Sequence, residues 1–104
     1  MFNPKRMLKR ATLEIKKMCR GNLVMFEATH KLIAVICDDM FMFYNTGKRH
    51  KEAGRKKWSC LNFVAAHNDL HFLNENNEIP KKIQDDLINM LYSAYCDGYD
   101  RIER

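Results

Sequence analysis

His67 and His71 stand four residues apart, the spacing that puts two imidazoles on one face of a helix, where they can hold zinc. Cys60 and Asp69 lie close enough in the sequence to extend such a set. Asn68-Asp69 has the composition of a hairpin turn, however, and would break a helix between the two rings. The chain also has no CxxC pair to supply further ligands. A zinc-binding or enzymatic protein built on His67 and His71 is therefore only a third reading. Asp38 and Asp39 are adjacent acids in an apolar stretch, an arrangement that can raise one pKa and make a general acid. Adjacent aspartates between strands more often form a turn. Glu14-Ile15-Lys16 has the look of half a nuclease motif, but it falls inside a predicted helix where that chemistry needs a strand. None of the four cysteines has a histidine at an activating spacing, and there is no glycine-rich phosphate loop. The expectation is a protein with no catalytic residues, no cofactor and no metal.

The cations carry more information. On a helical wheel Lys5, Arg6, Lys9, Arg10, Lys16, Lys17 and Arg20 fall within an arc of about 140°. Met7, Leu8, Ala11, Ile15, Met18 and Cys19 fill the opposite arc, and only Leu13 intrudes among the basic residues. Such a helix anchors to a core by one face and presents seven positive charges on the other. A second cluster follows at Lys48, Arg49, Lys51, Arg55, Lys56 and Lys57. The two clusters make the charge of the chain lopsided. Residues 1–57 hold fourteen Lys/Arg and five Asp/Glu, whereas residues 58–104 hold four and eight. An imbalance of this kind steers association with an anionic surface.

Two classes of partner fit those charges: an acidic protein surface or protein–nucleic acid complex, and DNA or RNA directly. Phosphate contacts would make binding steeply salt-dependent, and a base could stack on Phe43, Tyr44 or Trp58. No RNP-like motif, GxxG loop or zinc-finger spacing supports the nucleic-acid reading. For a protein partner, Tyr44, Trp58 and Tyr92 are the candidate aromatic anchors. An anionic membrane is not expected, because the apolar arc of the first helix is Met, Ala and Cys without Trp or Phe.

The elements that would position these residues read as α+β. The first helix should run from Pro4 to Arg20, with Asn3 as N-cap and Gly21 as its stop. Residues 22–29, 32–37 and 40–44 then read as strands, 32–37 being continuously apolar as a central strand would be. Residues 45–57 have two glycines and almost no hydrophobic side chain, and are expected to be a mobile basic loop. Strand character returns at 58–66, with Leu61, Phe63 and Val64 as core, and a short strand at 70–73 follows the turn. Pro80 opens a second helix whose stripe is Ile83, Leu87, Met90, Leu91 and Ala94, ended by Gly98. The expected architecture is an antiparallel sheet of four to five strands flanked by an N-terminal and a C-terminal helix.

At 104 residues with 46% hydrophobic and 30% charged side chains, the chain is expected to form one domain. It shows no secretory leader, and its N-terminal 20 residues lack the serines of a mitochondrial presequence, so a cytoplasmic protein with reduced cysteines is expected. Short length and abundant Met, Phe and Asn without catalytic groups give the general look of a small phage or mobile-element accessory protein. The leading expectation is a non-enzymatic regulator or inhibitor that docks through its basic face, with a nucleic-acid-binding module as the alternative.

Overall fold

The computed structural model of the protein describes residues 4–66 and 81–100. They form five helices: α1 (Pro4–Cys19), α2 (Leu23–His30), α3 (Ile33–Glu52), α4 (Cys60–Ala66) and α5 (Lys81–Tyr99). Among the described residues there is no strand, so the expected α+β sheet architecture is wrong and the fold is all-helical. The strand expected at 70–73 and the metal candidates His67, Asp69 and His71 lie outside the described residues.

α1 forms as its periodicity requires. Met7, Ala11, Ile15 and Cys19 are buried at a four-residue spacing, and the basic arc faces outward. The helix ends where Arg20 (φ 48°) and Gly21 (φ 82°) turn left-handed, a reversal that glycine makes without steric cost. Asn22 then caps α2, its side-chain oxygen accepting from the Met25 backbone N–H at 3.1 Å. This cap, with Leu, Met, Glu and Ala inside the helix, overrides the strand character expected of residues 22–29.

The longest helix, α3, replaces two expected strands, the turn between them and most of the expected loop. Asp38 and Asp39 are not turn residues; Asp38 is exposed on the helix and Asp39 is buried. Its inward face is Ile36, Met40, Phe43, Gly47 and His50, alternating four- and three-residue steps. Only residues after Glu52 leave the helix, so the basic segment expected as a loop from 45 is helical for its first eight residues. The end is built from local chemistry. Arg49 and Lys51 occupy the last turn, where cations complement the helix dipole. Gly54 turns left-handed, and Arg55 N–H donates back to the His50 carbonyl at 2.8 Å.

Residues 55–59 form a short connector to α4, which occupies the place of the strand expected at 58–66. Of the three core residues expected there, Phe63 is buried and packs edge-on against Phe43, but Leu61 and Val64 are exposed. The α5 stripe is as expected, with Ile83, Leu87, Leu91 and Ala94 buried and Tyr95 fully enclosed.

The core lies mainly between α3 and α5, with α1 laid across both. Two glycines allow the central pair to approach. A methyl group at Gly98 would collide with the Tyr44 carbonyl, coming 2.7 Å from its carbon. One at Gly47 would collide with the Tyr95 carbonyl and come 2.7 Å from the Tyr99 nitrogen. Gly98 is therefore not the helix stop it was expected to be: it is a packing position one residue before the end of α5.

Candidate binding surface

The structure places six of the seven cations of the first cluster, Lys5, Arg6, Lys9, Lys16 and Lys17 on α1 and Arg20 just after it, in exposed positions. Arg10 is half-buried and reaches Asp97 of α5 at 3.7 Å. Lys17 pairs with Glu14 one turn back at 3.7 Å, an exposed contact of little energetic weight. The second cluster is divided between two elements. Lys48, Arg49 and Lys51 ride the last turns of α3, and Arg55, Lys56 and Lys57 lie in the connector. Arg49 donates to the Thr46 hydroxyl at 3.3 Å.

Both clusters reach the same end of α5. Arg10 meets Asp97, and Lys57 meets Asp100 at 2.8 Å, three residues further along. Lys51 and Lys57 also sit over the Tyr99 ring, 5.3 and 5.4 Å from its centroid. The hydrogen bond to Asp100 holds the Lys57 ammonium above its ordinary pKa. The C-terminal turns of α5 thus collect cations from α1, from α3 and from the connector.

The expected aromatic anchors have internal work instead. Tyr44 is buried at the α3–α5 crossing, where its backbone meets Gly98, so it offers no side chain to a partner. Trp58 is half-buried, stacked on Tyr95 at 5.4 Å and edge-on to His50 at 4.4 Å. Tyr92, half-buried, donates its hydroxyl to the Trp58 carbonyl at 2.6 Å. Burial, chiefly, pushes the Tyr92 phenol up to about 12. Phe43, weighed as a stacking platform, is fully buried.

A buried polar network completes this clamp. The Tyr95 hydroxyl accepts from the Trp58 backbone N–H at 3.1 Å and lies 2.9 Å from His50 Nδ1. With its oxygen already accepting, the phenol is placed to donate its own proton to Nδ1, which requires a neutral imidazole. Burial first, then the nearby Arg55 and Arg49 charges, lower the His50 pKa in the same direction. Tyr92, Tyr95 and Tyr99 recur at three- and four-residue steps, so one face of α5 holds the connector in place. That spacing was visible in the sequence. His50, Gly47, Asp97 and Asp100 were missed, because nothing local marks a glycine or histidine as a helix-packing residue.

Among the described residues no group of His, Cys, Asp and Glu could hold a metal ion. Cys60 sits at the start of α4 with its thiol 3.8 Å from the Asn89 side-chain oxygen. All four cysteines are free, and burial raises the thiols of Cys19 and Cys37 above their ordinary range. No helix of the described residues is long and apolar enough to cross a membrane.

Depressions of two kinds lie among the described residues. One, of about 320 Å³, lies between Arg10, Glu14 and Met18 of α1 and Asp86, Asn89, Met90 and Ser93 of α5. The other, of about 260 Å³, is formed by Lys16, Cys19, Gly21, Asn22, Leu23 and Phe26 where α1 turns into α2. Comparison of the chain with protein-family models, with curated proteins and with solved structures found no match in any of the three.

Proposed function

We propose that this protein works by binding, as a small non-enzymatic regulator or inhibitor that docks its basic surface on an acidic face of a larger cytoplasmic protein or nucleoprotein complex. The observation that carries this reading is the meeting of two separate basic clusters at the end of α5, through Arg10–Asp97 and Lys57–Asp100. Exposed cations from three elements then act together, raising the rate of encounter with a partner of opposite sign and suppressing basic partners.

A protein partner is favoured over nucleic acid by what surrounds the charges. Trp58, Tyr92 and Tyr99, the aromatic rings around the basic connector, are used to hold it, Tyr99 lying beneath Lys51 and Lys57, and leave no open platform for a base there.

A salt titration separates the two. Labelled duplex DNA and single-stranded RNA are expected to bind no tighter than about 100 µM at physiological salt, the weak end of non-specific association. A pull-down from nuclease-treated lysate is expected to retain a protein that a Lys9→Glu, Lys56→Glu variant releases. Micromolar nucleic-acid binding with a steep salt slope, lost in the same variant, would replace this reading with the nucleic-acid one.

A further inference from the structure

The turn between α1 and α2 carries a feature that the charge clusters do not explain. α2 is apolar around most of its circumference: Leu23, Val24, Met25, Phe26 and Ala28, with Glu27 its one acid. An eight-residue helix of this kind would ordinarily be buried. Thr29 is buried, and Met25 and Phe26 pack partly on the core, yet Leu23 is 73% exposed and Val24 77% exposed. Beside them lies the 260 Å³ groove, lined by Cys19, Gly21, Asn22, Leu23 and Phe26, with Lys16 as the one charged residue in its wall. Arg20 is exposed at the same turn, and Lys17 beside it on the basic stripe is paired with Glu14.

We infer that this groove takes a single large apolar side chain from an acidic segment of the partner protein. The inference rests on the reading of the protein as a binder of acidic protein surfaces, and names where the buried anchor of that complex sits. Three observations select the occupant. The volume is below the roughly 300–1,000 Å³ of sites that enclose a whole small molecule, and suits a side chain. The walls are apolar apart from Lys16 and Asn22, whose side-chain oxygen is taken up by the Met25 N–H, so the inserted group is apolar. Lys16 lines the groove and the exposed Arg20 precedes its wall residue Gly21, so carboxylates flanking the anchor meet positive charge. The partner segment therefore has a Leu, Phe or Trp with Asp or Glu a few residues to either side. A concave slot with charges at its edge is the arrangement in which one buried anchor dominates affinity and the rim excludes water.

The test uses the full chain and a displayed library of random 16-residue peptides. Selection is expected to enrich an aromatic or leucine flanked by two or more acids. A synthetic peptide of that consensus should lose about tenfold or more in affinity on Leu23→Asp or Val24→Asp, as anchor sites do. Both positions are exposed, so unchanged circular dichroism will show that the fold survives. Enrichment of peptides without acids, or affinity unchanged in both variants, would overturn the inference. So would binding of phosphatidylserine vesicles that Leu23→Asp abolishes, which assigns the apolar tip to a membrane. Acidic peptides that ignore Leu23→Asp but are lost from the Lys9→Glu, Lys56→Glu variant would remove the groove and leave the basic surface. Peptides needing Leu23 but not those lysines would keep the groove and remove the wider surface.

Discussion

The two ends of this molecule's basic surface treat apolar side chains in opposite ways. At the end of α5, Trp58, Tyr92, Tyr95 and His50 close on one another, and the Tyr95 hydroxyl meets both a ring nitrogen and a backbone N–H. At the α1–α2 turn, Leu23 and Val24 stand in solvent beside an apolar groove. Both regions carry cations, yet only the first has spent its hydrophobic groups on the fold. Residue type is therefore a poor guide to binding here. The aromatic rings that look like interface anchors hold a connector, whereas two plain aliphatics of a short helix stand exposed.

The sharpest way to break the closed region is at the helix crossing. Gly98→Val is expected to cost about 3 kcal/mol or more, because the new side chain meets the Tyr44 backbone and neither helix can yield locally. Chemical denaturation should show a large drop in midpoint or no folded baseline, and Gly47→Val should behave alike. A melting curve near that of the parent protein would show that the crossing is looser than described.

Tyr95→Phe should follow at about 1–3 kcal/mol, since it keeps the ring and strands the His50 nitrogen and the Trp58 N–H without their partner. Denaturation with unchanged circular dichroism would isolate that loss. If Tyr92→Phe costs as much, the clamp depends on the connector carbonyl more than on the buried network.

The same network makes a pH prediction. His50 is held neutral, with a folded pKa below its ordinary value of 6.5, so the unfolded chain binds the proton more readily. Its contribution to stability is complete above about 6.5 and declines as pH falls from there toward the lowered folded value. Urea midpoints measured from pH 8 to pH 5 should fall at the acid end, and His50→Asn should flatten that slope.

The smallest effects belong to the surface. Lys57→Ala removes a partly exposed ion pair and should cost less than about 1 kcal/mol. Leu23→Asp should leave stability within about 0.5 kcal/mol, as exposed positions do. A marked loss on Leu23→Asp would mean that the open region contributes to the fold after all, and the contrast between the two ends would fail.

How much of this was legible depends on what each signal needed. The inner faces of α1 and α5 follow from periodicity alone, since Met7, Ala11 and Ile15, and then Ile83, Leu87 and Leu91, are all buried. The middle of the chain misled for a physical reason. Ile33 to Cys37 is apolar at every position, and a short run of that kind suits a buried strand as well as a helix. The longer pattern of Ile36, Met40, Phe43, Gly47 and His50 is helical, but its last two members read as loop residues. Gly47 counts as core only when another backbone lies against it, and His50 only when a phenol satisfies its nitrogen.

By itself, then, the sequence determined the amphipathic character of α1 and α5, the left-handed stop at Gly21 and the surplus of cations before Trp58. Each depends on neighbours within a turn or two, where backbone sterics and side-chain spacing act directly. Tertiary structure alone decided that the chain is helical through Glu52, that Tyr92 and Trp58 face inward, and that Arg10 and Lys57 meet the same end of α5. Those outcomes hang on two helices touching through glycine, a contact between residues about fifty positions apart that no local pattern encodes.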